Sequence, residues 1–298
     1  KKGQDIDPAH QSFRGETDQG QEDQGGGEGR KKKDKAGYMG LNVHREKGEG
    51  RRVWVVILCL MILPFACTKE YSSANDTAAL KVSFRLMNDG QPLNNTDEYV
   101  NRSGERYTVR TFKFYVSQIR LLAADHIATA EKESYHLVDL GVPASNDLPV
   151  MFRRGTYRSI EFLVGVDSIR NVSGAQTGAL DPALGMFWTW NTGYIFAKLE
   201  GQSPVSAAPG RAMTYHIGGF RQGENALRRI VLSFPADKPV MVGRTLQLII
   251  DADLARWFDH AHTLSIAQQP SVMTPGGVSL KIADNYAGMF SIFNVIDR

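Results

Sequence analysis

The fold class this sequence predicts is all-β: a single β-sandwich domain, barrel-like in character, with small helical insertions near the C-terminus. Three observations predict it. Short runs rich in β-branched and aromatic residues recur from residue 78 onward, separated by turn chemistry such as Asn88-Asp89-Gly90. Several of these runs alternate apolar and polar side chains with the period of two that a half-buried strand requires. Helical patterns are confined to two short segments, and no linker composition interrupts the chain after Thr77.

The elements follow in order. Residues 79–87 set Leu80, Val82, Phe84 and Leu86 against Lys81, Ser83 and Arg85, and residues 107–121 set Phe112, Phe114 and Val116 against Lys113 and Tyr115. Further strands are expected over 135–140, 157–166, 187–199, 212–217, 227–234 and 245–250. The helical candidates are 253–258 and 281–290. Glycine and asparagine make 170–180 a loop, and Pro204, Pro209 and Gly210 make 203–211 another. Internal repeats are not evident.

Ahead of this domain lie three segments of different character. Residues 1–38 are rich in Gly, Gln, Asp and Lys, with Gly25-Gly26-Gly27 and Lys31-Lys32-Lys33 runs. They bury too little apolar surface to offset their ordering entropy, are expected to be disordered, and are read as upstream sequence before Met39. Residues 39–66 read as a lipoprotein signal peptide, with a basic stretch (Arg45, Lys47, Arg51, Arg52) followed by an apolar run over 53–66. That run is too short to span a bilayer but suits the hydrophobic region of a signal. Cys67 after the small Ala66 resembles the lipidated cysteine of bacterial lipoproteins, and residues 67–77 form a polar tether to the domain at 78–298. An ordinary secretory signal cut after Ala74 is the competing reading. A lipid anchor places a folded domain at a membrane without spanning it, in the periplasm or at the outer membrane or cell surface.

Cysteine and charge narrow the chemistry. With Cys59 inside the signal, the domain has no cysteine pair for an internal disulfide, no thiolate cluster and no cysteine nucleophile. Residues 67–298 are close to charge balance, at net +1, although the whole chain carries +3. Nothing in that balance gives a footprint for nucleic acid. Gly-x-Ser-x-Gly, His-Glu-x-x-His and phosphate-binding glycine loops are absent. Asp167, Asp181, Asp251 and Asp253 are available as a hydrolytic carboxylate pair, but Asp251-Ala252-Asp253 reads more simply as a helix N-cap. No catalytic activity is expected.

The densest chemistry lies in residues 181–201. Two of four tryptophans, Trp188 and Trp190, sit two residues apart and share a strand face with Met186, opposite Phe187, Thr189 and Asn191. Core packing explains such a row, because aromatics bury large areas and methionine fills gaps. A soft metal or redox site is the alternative, less favoured on composition alone because indole and thioether are poor catalysts by themselves. His216 ends a strand before Gly218 and Gly219, as a structural imidazole or as a ligand. His260 and His262, at i and i+2, form a metal bite on a strand or a solvated pair on a loop.

Five blocks carry a resemblance to a known family. They are residues 157–167, residues 180–201 with their Met-Phe-Trp-x-Trp-Asn-x-Gly-Tyr core, residues 215–220, residues 248–251 leading into Trp257, and residues 272–290. In this order they resemble the MbnP-like copper-binding domain family of Gram-negative secreted proteins and lipoproteins. The resemblance implies a β-rich, non-catalytic protein that binds copper as Cu(I). Its implied partner is a dihaem cytochrome of the cytochrome c peroxidase type, which in relatives oxidises a tryptophan to kynurenine. Carried onto this chain, it makes Trp188 and Trp190 the candidates for oxidation and His216 the best-placed imidazole. Met186, Met213 or Met289 would serve as soft donors. Other branches carry a histidine just after the strand that ends at Asp167 and cysteines near the C-terminus. Here that region reads Ser168-Ile169-Arg170-Asn171, which leaves His260 and His262 as alternative ligands. The competing reading is a ligand-binding or interaction lipoprotein whose tryptophans are structural.

Overall fold

Alternation in the sequence builds two sheets with one apolar face each, and burying those faces against one another gives the architecture. The computed structural model describes residues 76–125, 128–188 and 193–297. In chain order the strands and helices are β1 (Thr77–Asn88), β2 (Gln91–Pro92), β3 (Glu98–Val100), β4 (Arg106–Ala123), β5 (Ala128–Ala130), β6 (Tyr135–Asp139), β7 (Asp147–Arg153), β8 (Gly155–Val164) and α1 (Ser168–Val172). They continue as β9 (Phe187–Trp188), β10 (Gly193–Gln202), β11 (Ala212–Gly218), β12 (Arg228–Val240), β13 (Thr245–Asp253), β14 (Ser271–Val272), α2 (Val278–Tyr286) and β15 (Phe290–Asp297). The expected disorder of 1–38, the signal at 39–66 and nearly all of the tether lie outside the described residues.

The first sheet runs β15-β13-β1-β7, with the short β2 returning beside the end of β1. Its centre is the parallel pair β1 and β13, flanked by antiparallel neighbours, so the sheet is mixed. The second sheet runs β12-β8-β4-β10-β11-β14 and is mixed through the parallel contact of β11 with β14. Its spine is β4, which pairs with β10 through Thr108–Phe114 and with β8 beyond Val116. Within the β8 pairing the register shifts between Ser117 and Arg120, where Gln118 holds a φ of 51°. A bulge of this kind bends a long strand and re-aims its side chains. Among the described residues the sheets pack as a sandwich and no closed barrel forms.

Between the sheets Phe84 of β1, Phe114 of β4, Phe162 of β8 and Phe290 of β15 meet edge to face at 5.2–6.1 Å. A second aromatic group, Trp257 with Phe112, Tyr215 and Tyr286, closes the same core toward α2. The expected strands are found with one correction: the single strand expected over 187–199 is two, β9 and β10, which pair antiparallel because the chain reverses between Trp188 and Gly193. Residues 253–258 form a single 3-10 turn, Leu254–Trp257, with the Asp253 carboxylate accepting from the Ala255 N–H. Asp251 does not cap it and instead pairs with Arg85 at 2.8 Å. The helix expected over 281–290 starts earlier and stops at Tyr286, and Phe290 begins a strand. Its ring is drawn into the inter-sheet core, an outcome local periodicity does not encode.

One buried carboxylate ties the core to the loop preceding β14. Glu105 accepts from Asn101 Nδ2 (2.8 Å), Ser265 Oγ (2.7 Å) and the backbone N–H groups of Ile266 (2.7 Å) and Ala267 (3.0 Å). Burial pushes this carboxyl up, but the four hydrogen bonds to its charged form outweigh burial and leave its pKa below the ordinary glutamate value. A depressed folded-state pKa contributes stability that is present above the unfolded value, near 4.5, and is lost as pH falls through the folded value. Glu105→Gln is expected to destabilise the domain by about 2 kcal/mol at neutral pH. The gap to the parent should narrow as pH drops below the unfolded value, and denaturant melts across the acid range measure it.

Candidate functional site

The tryptophan block and His216 reach one region because β9, β10 and β11 are neighbours. Gly193 and Tyr194 at the start of β10 pair with Trp188 and Phe187, and the rest of β10 pairs with β11, which sets Lys198 opposite His216. Met213, Tyr215 and Ile217 of β11 face the core, so Thr214, His216 and Gly218 face outward. On that outer face the His216 imidazole meets the Glu200 carboxylate through Nε2 at 2.8 Å. Glu200 is also held by Arg110 at 3.2 Å and lies 3.8 Å from Lys198.

The segment leading to Trp188 lies over this polar face. The Lys198 ammonium donates to the Gly185 carbonyl at 2.7 Å, and Lys113 donates to the Leu184 carbonyl at 3.3 Å. Lys113 is also paired with Asp139 at 2.9 Å. Met186 is fully buried, and its carbonyl accepts from the Ile195 N–H. Phe187 packs edge-on against Tyr194, with centroids 5.1 Å apart. Trp188 is only 5% exposed, and the six-membered ring of its indole lies against Gly218. A Cβ at that glycine would stand 2.8 Å from the indole Cζ3 and 2.5 Å from the Tyr194 carbonyl, which is why no larger residue fits there. Trp188 and His216 therefore cover neighbouring positions on one face of β11.

A crevice of about 20 Å³, large enough for one water, opens beside the indole. Asn171, Trp188, Gly219, Phe220, Glu224 and Pro275 line it. Asn171 is positioned by donating to the Val166 and Asp167 carbonyls (2.5 and 3.0 Å) and accepting from the Tyr194 N–H at 2.9 Å. Asn171 stands in the stretch where sequence reasoning looked for a histidine.

Burial lowers the His216 pKa from its ordinary value, against the pull of Glu200, so the ring is neutral at pH 7. Glu200 is pushed up by burial but drawn down further by the His216 hydrogen bond and the Lys198 charge, to about 2. A neutral imidazole facing a carboxylate through Nε2 donates that N–H and keeps its lone pair on Nδ1. The carboxylate thereby fixes the tautomer and the ring orientation, as outer partners of metal-binding histidines do. Glu200 and Lys198 were not singled out from sequence. Two charges two residues apart inside an apolar strand were the available signal.

The histidine pair has a different setting. The His260 ring lies against Gly288, where a Cβ would overlap it. His262 approaches Asp284 of α2 through Nε2 at 3.2 Å, and Asp284 is also gripped by Arg228. Asn285 donates to the carbonyls of Trp257 and His262 and accepts from the His262 N–H, so α2 clamps this loop. His260 and His262 thus face the C-terminal helix rather than Glu200. The four aspartates have structural partners too: Asp167 and Asp181 cap the turns after them, Asp251 meets Arg85, and Asp253 accepts from Ala255. Trp190 and the lipidation candidate Cys67 lie outside the described residues. Among the described residues no three His, Cys, Asp or Glu side chains cluster as a metal site.

Comparison with family models matches residues 77–274 to the family described as MbnP. Among solved structures, MbnP from Methylosinus trichosporium aligns with 18% identity over 63% of this chain and 79% of that chain, at a TM-score of 0.42. Comparison with curated protein sequences gives no match.

The seat of Trp188 on Gly218 gives a direct test. Gly218→Ala is expected to push the indole off β11 and to cost about 1–3 kcal/mol. Tryptophan emission should shift to the red and quenching by iodide should increase. An unchanged spectrum at unchanged stability would contradict the placement of the ring.

Proposed function

The chain belongs to the MbnP family, and on that premise we propose that it is a non-enzymatic, extracytoplasmic lipoprotein that binds copper for acquisition or storage. Its address is the periplasm or the cell surface, through acylation of Cys67. The observation that carries the copper reading is the placement of Trp188 against Gly218, two residues along β11 from His216, with Glu200 holding the imidazole.

The donors present suit a soft ion. A neutral imidazole with its lone pair on Nδ1 belongs to the ligand class that Cu(I) accepts. The described carboxylates and imidazoles do not cluster in threes, so a site here draws on an aryl amine, which an oxidised tryptophan supplies. In that oxidation the indole C2–C3 bond breaks, and two equivalents of hydrogen peroxide each supply one oxygen atom and leave one water. Hydrolysis then releases C2 as formate, leaving a ketone and an aryl amine. The catalyst is a dihaem cytochrome of the peroxidase type, acting on Trp188 or Trp190. On this chain, Gly218 and Tyr194 present the indole, and Glu200 orients the imidazole.

A second reading has a specific observation in its favour. Trp188 is nearly buried and Met186 wholly so, as expected of structural side chains in a ligand-binding or interaction lipoprotein.

A Cu(I) titration separates the two readings, using protein from the native host and protein from a host without the dihaem partner. Peptide mass spectrometry of residues 181–201 accompanies it. The copper reading expects tight binding only in host-matured protein, together with an oxidised Trp188 or Trp190. Glu200→Gln should weaken that binding by about tenfold by releasing the imidazole. No binding by either protein, with an unmodified segment, favours structural tryptophans.

A further inference from the structure

The end of the domain from which the N-terminal tether departs is built differently from its other strand ends. Six strand ends meet there in four pairings. Thr77 of β1 pairs with Arg153, Ala79 with Thr245, Val240 with Gly155, and Tyr157 with Ala123 at the end of β4. The β12–β13 turn projects from this pole and carries two consecutive exposed apolar residues, Met241 at 41% and Val242 at 55%. Its base is firm: Val240 is buried, and the Arg244 N–H closes the turn on the Met241 carbonyl. Met151, on β7 opposite Ala79, is 53% exposed nearby. Turn tips normally carry polar residues, so adjacent apolar side chains on a rigid one call for a covering surface.

Around this tip stands a ring of arginines, each held by an aspartate. Arg154 meets Asp76 at 2.8 Å and Arg153 meets it at 3.7 Å, Arg158 meets Asp237 at 3.3 Å, and Arg244 meets Asp297 at 3.2 Å. These long side chains have apolar stems and charged heads, the type that spans a membrane–water boundary. Because aspartates offset them, the ring offers little net charge.

Covalent reach identifies the surface. Cys67 lies nine residues before Asp76, a distance of at most about 30 Å however the chain runs. The twelve residues of β1 separate this pole from the opposite one, at Asn88, by about 40 Å. A chain acylated at Cys67 therefore cannot stand with its far pole on the bilayer. The near pole is within reach, and it carries the apolar tip.

We infer that this pole is a membrane-contact face, with Met241 and Val242 entering the interfacial layer of the bilayer to which Cys67 is anchored. The inference rests on the lipoprotein reading above. Its consequence concerns the site: Lys113, which pairs with Lys198 and through it with His216, stands ten residues up β4 from Ala123 at the pole. That distance is about 30 Å, so the site is held clear of the headgroups, where a copper donor or an oxidising partner protein can approach it.

The test uses the anchored protein extracted from membranes and reconstituted into vesicles of phosphatidylcholine, with and without phosphatidylglycerol. Single-cysteine variants Val242→Cys and Met241→Cys, and Asn95→Cys at the far pole, each carry an environment-sensitive fluorophore. Mass spectrometry of the N-terminal peptide records acylation. The expected result is quenching of the two near-pole labels by acyl-brominated lipid, about twofold or more, with the far label unaffected. Phosphatidylglycerol should make no difference, because the contact is apolar. Acylated protein whose near-pole labels are not quenched overturns the contact face and leaves the lipoprotein reading standing. Protein without an acyl chain removes the lipoprotein reading and, with it, the inference. Quenching that requires phosphatidylglycerol overturns the apolar basis of the contact.

Discussion

The edge-to-face packing of Phe84, Phe114, Phe162 and Phe290 is the interaction on which the rest of this domain depends. Each ring comes from a different strand, two from each sheet, so the cluster fixes how far apart the sheets lie and how they are aligned. Such pairs contribute about 1 kcal/mol each beyond the area they bury. With the inner faces fixed in this way, strand alternation decides which residues point outward. His216 faces outward because Tyr215 and Ile217 must face inward.

The outer face of β10 and β11 then becomes the place where charge is managed. Lys198, Glu200, Lys113 and His216 are half-buried beneath the segment that ends in Trp188, the exposed Arg110 reaches Glu200, and each satisfies another or a backbone carbonyl. Half-burial shifts the His216 pKa down, whereas for Glu200 the His216 hydrogen bond and the Lys198 charge outweigh burial and bring it to about 2. The result is a neutral, oriented imidazole beside an indole seated on a glycine. This geometry follows from register: one residue of slip between β10 and β11 would put Glu200 and His216 on opposite faces.

The C-terminal segment beyond the family-matched span contributes more than its length suggests. Phe290 completes the inter-sheet aromatic cluster, Tyr286 joins Trp257, and Asp284 with Asn285 clamps the loop bearing His260 and His262. The match to the family ends at Thr274, and in this chain residues past it cover one end of the core and supply the edge strand of the first sheet.

The sequence by itself determined the fold class, the positions of the principal strands and the family, because alternation, turn residues and the Met-Phe-Trp-x-Trp block are local properties. It also marked Trp188 and His216 as worth attention. It could not show that β15 exists, because Phe290 follows a helical pattern and becomes a strand only when the other sheet offers its ring a place. Nor could it supply the partner of His216, because Glu200 lies on another strand and strand pairing is set by how two sheets close on one core. It left His260 and His262 open between a ligand pair and a structural one, and their seats against Gly288 and Asp284 come from the docking of α2. Local chemistry writes the elements into the chain, and the burial of distant aromatic faces decides which of their side chains meet.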